Sequence, residues 1–401
     1  MEDGPWSHPT RQKAGLEVEV FKQGECEMKL WTNQTNSIHK VDDNMLYPRN
    51  TYVLPDELTG PTWDDSIPCP HKIKPYYKGR ATGGATAVYR AGAIGDAIIA
   101  TAFVHYLVQE SGGVVDVYAP ARNLPLYAGL GAKLWPLPCS LEAWDSYDAH
   151  LPTDDLFSGQ VGNTKLGTGP GNCYQRIYEW MGVWDEKTMA KYCRPYLHLI
   201  EPDHNELKEL GKWPLPIPYF AYHVSSSGPT RTYPPKMGQD AVLALLEAHP
   251  HHHAVIIGLD NSNNFKVDHP RVIDLFNTTK QIRSLFPVIA NADFVVAPDS
   301  SVNHIAAGLD TACVSLWGSY GPTDRVTYYP KNVSVFKPDT CPHAPCRPHA
   351  GLPQAKCKDA SNKTKGTQYF CNALRNITAE DIVAASHKAR ELEDKLHEEK
   401  K

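Results

Sequence analysis

Residues Ile289 to Asp324 read IANADFVVAPDSSVNHIAAGLDTACVSLWGSYGPTD, and the order of apolar and turn-forming residues in this stretch decides the fold. The run Phe294-Val295-Val296 predicts a strand that ends in Ala297-Pro298-Asp299-Ser300-Ser301. Apolar residues then recur at helical spacing from Val302 to Leu309. Ser300 or Ser301 can cap that helix, and the amides of the turn and of the first helical turn then point outward together, a ready site for an anion. A second strand, Cys313 to Trp317, leads into the loop Gly318-Ser319-Tyr320-Gly321-Pro322-Thr323-Asp324. Two such loops side by side at the carboxyl edge of a parallel sheet are where open α/β sheets hold nucleotides.

The same alternation extends backwards. Tyr219 to Val224 reads as a strand, Ser225-Ser226-Ser227-Gly228 as a polar turn, Gln239 to Ala248 as a helix and Ala254 to Gly258 as a strand. Val272 to Leu275 and a helix from Lys280 to Ala290 follow. Ahead of this half stands Trp213-Pro214-Leu215-Pro216-Ile217-Pro218, stiff and unable to continue a helix, which reads as an interdomain linker. An earlier half begins with the strand Ala85 to Arg90, the turn Ala91-Gly92-Ala93-Ile94-Gly95-Asp96 and an apolar helix from Ala97 to Gln109. The strand Val114 to Tyr118 and a crossover over Ala119 to Leu130 complete this βαβ alternation, which implies a parallel sheet. The Gly-Ala-Ile-Gly-Asp turn lacks dinucleotide-fingerprint spacing, so no nicotinamide or flavin site is read there. From Leu134 to Trp213 the pattern weakens, with Tyr174 to Met181 the clearest helix. Thr378 to Glu398 opens with a capping box, Thr378 to Asp381, and keeps an apolar face, so it is a final helix.

A chain of 401 residues is too long for one ordinary core,. The expected division is an extension over residues 1–84, an α/β domain over 85–213, a second over 214–340, and a cysteine-bearing loop with the last helix over 341–401. The extension carries short strand patterns at Leu16 to Phe21 and Met28 to Trp31. It reads as an arm that packs its aromatics on the body, or as an element for oligomerisation or acceptor binding. A net charge of −5 gives no bulk field that would recruit nucleic acid or an anionic membrane,. No apolar run reaches membrane-spanning length, and the start MEDGPWSHPT has neither a basic beginning nor an apolar middle, so a soluble cytoplasmic protein is expected.

Of the ten cysteines, Cys341, Cys346, Cys357 and Cys371 crowd together near the C-terminus. They could hold a structural zinc, remain reduced or form a local disulfide, and their spacing lies at the edge of the zinc pattern. His249-Pro250-His251-His252-His253 has the composition of a metal tract, but preceding a buried strand it reads as a solvated turn.

The segment DSSVNHIAAGL, the loop WGSYGPTD, the turn GAIGDA and the cysteine-bearing tail ending in LRNITAEDI together resemble the bacterial heptosyltransferase-like glycosyltransferases, family 9. The likeness runs from about Ala85 to Val383. It implies the GT-B fold, two facing Rossmann-like α/β domains, here with an N-terminal extension. It also implies transfer of a sugar from a nucleotide-diphosphate sugar to a saccharide or another hydroxyl acceptor. By this resemblance Asp96 is the catalytic base and Arg231 meets the donor diphosphate. Asp260 is near the acidic residue that holds the ribose, Asp299 holds the donor sugar, and the amides of Ser300, Ser301 and Val302 meet the phosphates. Ser225, in the turn after its strand, and His304, on the helix, complete the donor set. The family usually carries Gly where Ser301 stands.

The chemistry needs a base for the acceptor hydroxyl and groups that stabilise the departing diphosphate. No Asp-x-Asp occurs, so Arg231 and the amides are expected to do what Mg²⁺ does in metal-dependent transferases, with the nucleotide-sugar as co-substrate and no further cofactor. One base and a direct displacement invert the anomeric centre. Plainer readings stand beside each residue: Asp96 and Asp299 are each well placed as ordinary helix caps, and His304 as a packed core histidine. Two other functions fit the same cleft, a sugar-nucleotide epimerase or hydrolase, and a protein that binds the nucleotide-sugar without turnover.

Overall fold

The computed structural model describes residues 85–90, 93–110, 114–136, 147–153, 172–226, 228, 230–258, 265–346 and 371–399, with five N-terminal strands between Leu16 and Pro55. Those strands are β1 (Leu16–Gln23), β2 (Cys26–Asn33), β3 (His39–Val41), β4 (Asn44–Leu46) and β5 (Thr51–Pro55). β1, β2 and β5 form one antiparallel sheet, with β2 in the middle.

The chain divides into two compact units that part between Met189 and Ala190. The first contains a parallel sheet of β6 (Thr86–Tyr89), β7 (Val115–Ala119), β8 (Lys133–Pro136) and β9 (Ala149–Pro152), in the order β8-β7-β6-β9. Helix α1 (Ile94–Glu110) has an almost wholly apolar and buried body from Ala97 to Leu107. Phe103 of α1 packs edge-on at 5.0 Å against Tyr178 of α2 (Cys173–Trp180). α2 is started by Asn172, whose side-chain oxygen accepts from the Tyr174 N–H at 2.9 Å,. Two local expectations change here. Helix α1 begins at Ile94, so Asp96 stands in its first turn instead of in the loop before it. The crossover read over Ala119 to Leu130 contains only a short 3₁₀ turn, Leu124–Tyr127.

The second unit is built on six parallel strands: β10 (Tyr219–His223), β11 (His253–Ile257), β12 (Val272–Asp274), β13 (Phe294–Pro298), β14 (Cys313–Trp317) and β15 (Asn332–Phe336). Their order in the sheet, β12-β11-β10-β13-β14-β15, is 3-2-1-4-5-6 in order of appearance, the doubly wound arrangement. β10, β13 and β14 are buried nearly end to end, which explains why they read as continuous apolar runs,. Phe220 and Phe294 stack across β10 and β13 at 5.2 Å. On one face of the sheet α3 (Pro235–Ala248) and the final helix α6 (Ala379–Glu399) share a core made by Ala241, Val242, Leu245, Ile382, Ala385 and Ala389. The predicted capping box at the start of that last helix is present: Thr378 N–H donates to Asp381 Oδ2 at 2.7 Å and Asp381 N–H to Thr378 Oγ1 at 3.3 Å,. The helix expected from Lys280 to Ala290 is a 3₁₀ turn, Ile282–Ser284, followed by α4 (Leu285–Ala290). α5 (Ser301–Gly308) follows β13. Among the described residues no helix is long and apolar enough to cross a membrane.

The division at Met189 falls ahead of the Trp213–Pro218 segment where the sequence places a linker. A buried ion pair lies in the segment between the two positions. Asp203 accepts from Arg283 Nε at 2.6 Å and from Nη2 at 2.7 Å, both side chains being almost fully enclosed. Glu206 takes the backbone N–H groups of Lys280 and Gln281 at 2.7 and 3.3 Å. Residues between Ala190 and Trp213 are thus fastened to the entry of α4. Asp203→Ala strands the Arg283 charge in a dry site, and urea unfolding is expected to show a loss of about 3–5 kcal/mol; a loss below about 1 kcal/mol would show that the pair does not hold this segment.

The histidine tract is a turn with Pro250 and His251 exposed, but two of its rings are enclosed. His249 is 2% exposed and His252 5% exposed. His249 Nε2 lies 2.8 Å from Ser386 Oγ on α6, and His252 Nε2 lies 2.8 Å from Asp293 Oδ2. Arg271 Nη1 donates to the carbonyls of His249, Pro250 and His252, which closes the turn from outside. Burial first, then the neighbouring charges of His252, His387 and Arg390, hold His249 down at about 4 from its ordinary 6.5. A ring kept neutral in the folded state and protonated in the unfolded one contributes stability that is present above 6.5 and lost as the pH falls toward 4. The melting temperature is expected to fall across that window, and His249→Gln, which keeps a polar partner for Ser386 without titrating, to flatten the fall. An unchanged pH dependence in the variant would refute this role.

Candidate functional site

The reversal of strand order in the second unit lies between β10 and β13, whose carboxyl ends carry the two polar turns singled out in the sequence. Hydrogen bonds tie these turns into one surface. Ser226 Oγ donates to the Asp299 carbonyl at 2.6 Å. Thr232 Oγ1 donates to the carbonyls of Gly228 and Ser226 at 3.0 and 3.2 Å, which folds the first turn back on itself. A third loop, after β14, joins through Ser319 Oγ to Thr230 Oγ1 at 3.4 Å. That loop needs Gly318: a Cβ there would stand 2.7 Å from Leu374 Cγ and 3.1 Å from Cys371 Sγ.

Within this surface Ser300 is the N-cap of α5, with extended backbone angles, and its Oγ accepts from the Val302 N–H at 3.4 Å. Ser301 is the first helical residue. Asp299 is buried and its Oδ2 lies 3.7 Å from Arg231 Nη1. The Arg231 guanidinium stands 6.0 Å from the ring centroid of Tyr320, on the third loop. Positive charge, a helix N-terminus and a buried carboxylate therefore meet at one sheet edge, an arrangement able to receive an anion on the amides and a hydroxyl-bearing group on the carboxylate. Ser225 is buried one residue ahead of Ser226. His304 is 4% exposed and its Nδ1 lies 2.8 Å from Tyr329 Oη, with the rings edge to face. Asp260 lies outside the described residues.

Sequence reading missed His223. It is the last residue of β10, and its Nδ1 lies 3.2 Å from Ser300 Oγ. Burial alone holds it down at about 4 from 6.5, so the ring is neutral,. Within Tyr219–His223 it looks like one more strand position; only the pairing of Tyr222 with Val296 brings it beside the cap.

In the first unit, Asp96 is one-third exposed and its Oδ2 pairs with Arg90 Nη2 at 2.8 Å. Arg90 is buried and its Nη1 also donates to the Thr153 carbonyl at 3.1 Å, while Thr153 Oγ1 donates to the Tyr89 carbonyl at 2.9 Å. The ends of β6 and β9 thus set the guanidinium, and the guanidinium sets the carboxylate.

Residues 278–350 match the family model described as glycosyltransferase family 9 (heptosyltransferase). Among solved structures, the chain is similar to the ADP-heptose lipopolysaccharide heptosyltransferase II of E. coli, with a TM-score of 0.52 and 14% identity over 77% of this chain and 99% of that one. A family 9 glycosyl transferase from Veillonella parvula gives a TM-score of 0.54 and 12% identity over 78% of this chain and 99% of that one. The iron-containing dodecameric glycosyltransferase TibC of enterotoxigenic E. coli H10407 gives 0.54 and 13% over 98% of this chain and 97% of that one. TibC has also been solved in complex with ADP-D-beta-D-heptose. No curated protein matches the sequence. At such identities the likeness shows the fold, an α/β chain of two Rossmann-like units of GT-B type. The coverage with TibC cannot be reached without the N-terminal extension, which the sequence resemblance leaves out. The resemblance read from the residues stands, and the family match supports an enzyme of glycosyltransferase type.

Proposed function

We propose that the protein transfers a sugar from a nucleoside diphosphate sugar to a hydroxyl acceptor, with the donor held at the β10–β13 switch point. One observation carries this reading: the segment that matches family 9 contains the capped helix N-terminus and Asp299, and the fold sets Arg231 against them. ADP-heptose is the first donor to test, because TibC binds ADP-D-beta-D-heptose in its solved complex.

In this reading the diphosphate lies on the N-terminus of α5. The amides of Ser300 and Ser301 meet it, while the Val302 N–H of the expected set is taken by Ser300 Oγ; Arg231 also meets it, and its charge offsets the one that develops as the glycosidic bond breaks. Asp299 accepts from sugar hydroxyls. Asp96, oriented by Arg90, takes the proton of the attacking hydroxyl, and attack opposite the leaving diphosphate inverts the anomeric centre. Donor charge is met by these groups without a metal in the step. An acceptor bearing a free hydroxyl, saccharide or other, completes the reaction. The N-terminal extension is the element we assign to oligomerisation, since TibC, whose likeness covers it, is named dodecameric.

Thermal-shift titration with ADP, UDP and ADP-heptose tests the donor site, since a ligand of the folded state raises the melting temperature by mass action. Asp96→Asn is expected to leave ADP affinity within about twofold and to lower turnover by about 10²- to 10⁴-fold, while Arg231→Ala weakens ADP. Wild-type turnover in Asp96→Asn would remove it as the base. Sugar released without any acceptor would favour a hydrolase or epimerase.

TibC is named iron-containing, and the soft donors this chain offers for such an ion are thiols. Cys341 and Cys371 are buried thiols, and Cys346 lies near them. Burial pushes the Cys371 thiol up to about 11, the N–H groups of Leu374 and Ala373 pull it back down, and Cys346 and Cys341 raise it further through their proximity. Backbone N–H donors on a sulfur are what a metal-bound thiolate uses. Cys357 lies outside the described residues, and the described residues hold no ready group of three or more ligating side chains. These thiols are therefore given no metal.

A further inference from the structure

His223 is half-buried, neutral and unclaimed by the reading above, yet its Nδ1 stands 3.2 Å from the hydroxyl oxygen that caps α5. Its surroundings are fixed. Gly258, at the end of the neighbouring β11, has φ +144°, a backbone conformation that favours glycine, and a Cβ there would meet Phe276 Cε2 at 3.2 Å and His223 Cδ2 at 3.5 Å. The imidazole therefore lies between the end of β11 and the cap.

The hydrogen-bond inventory at Ser300 Oγ decides what this contact does. A hydroxyl has one proton and two lone pairs. One lone pair takes the Val302 N–H. If the imidazole Nδ1 carries its proton, it fills the second lone pair, and the Ser300 proton is left to point outward from the cap. If Nδ1 is bare, the hydroxyl proton turns inward to the ring and is withheld from any ligand. An anion on the helix N-terminus selects the first state, because every dipole in it then points toward the negative charge.

On the donor reading above, we infer that His223 is a positioning residue for the donor diphosphate: its Nδ1–H donates to Ser300 Oγ and thereby aims the Ser300 hydroxyl proton at a phosphate oxygen. The ring itself does not touch the ligand. It supplies no net charge and takes part in no bond change. Its effect is to make the cap residue a donor to the ligand in addition to an acceptor from the helix.

Substitution separates this relay from simple packing. Asparagine can place an amide N–H where Nδ1 stands, whereas glutamine reaches the position of Nε2 and is the closer match in volume. ADP and UDP binding, followed by calorimetry, is expected to weaken about five- to tenfold in His223→Ala, the worth of about one hydrogen bond. His223→Asn is expected to stay within about twofold of wild type, with His223→Gln behaving like alanine. Ser300→Ala is expected to weaken binding by a similar factor, and the double variant His223→Ala/Ser300→Ala to be no weaker than Ser300→Ala alone. Additive losses in the double variant overturn the relay, as does an unaffected His223→Ala beside an impaired Ser300→Ala. Where the alanine variant does not fold, the asparagine and glutamine pair decides, and equal affinities overturn it. If neither Ser300→Ala nor Arg231→Ala changes ADP or UDP binding, or wild type binds neither, the donor site itself is wrong and the inference falls with it.

Discussion

The parallel pairing of β10 with β13 is the constraint on which the rest of the second unit depends. It sets Phe220 against Phe294 in the core and Tyr222 against Val296 near the carboxyl edge. Everything polar at the edge then follows from register. Ser226 reaches the Asp299 carbonyl, and His223 reaches the Ser300 hydroxyl, because their strands are neighbours and end level. Shifting the pairing by one residue would turn the side chains of one strand to the opposite face and separate all of these groups at once. The apolar residues that fix the register are buried on both faces, so the core positions the site.

Local chemistry was legible in the sequence and long-range chemistry was not. The strand, turn and helix around Asp299 and Ser300 are short-range patterns, and so is the box between Thr378 and Asp381; each appears in the structure where its residues predict it. The Asp203–Arg283 pair joins residues 80 apart in the chain, and no local pattern announces it. The sequence reading placed its linker at the prolines of Trp213–Pro218, whereas the compact units part at Met189. Composition misled in the histidine tract for a related reason. Charged-looking residues beside a strand suggest solvent, yet the Ser386 hydroxyl and the Asp293 carboxylate bond the rings of His249 and His252.

Three histidines of the second unit show how burial assigns different tasks to one side chain. His304 bonds Tyr329, His249 bonds Ser386 on the last helix, and His223 bonds the cap of α5. Burial depresses His249 and His223 alike to about 4. What distinguishes them is the partner: Ser386 belongs to the packing of α3 against α6, whereas Ser300 belongs to a helix N-terminus at a strand-order reversal. A pKa shift by itself therefore does not separate the histidine proposed to act at the site from the others; the position of the hydroxyl on the other side of the bond does.

This division of labour bears on how the proposed site holds a doubly charged group near neutral pH. A buried imidazolium would attract the diphosphate, but its desolvation cost would have to be met whenever the site is empty. The structure separates the two needs. Positive charge comes from Arg231, whose side chain is partly exposed beside Asp299,. Direction comes from uncharged dipoles behind it: the helix amides, the Ser300 hydroxyl and the neutral His223 ring. Because those dipoles are fixed by strand register before any ligand arrives, little reorganisation remains to oppose the charge that builds as the bond to the diphosphate breaks. Arg231 then sets how strongly the anion is drawn in, and the layer behind it sets where its oxygens come to rest.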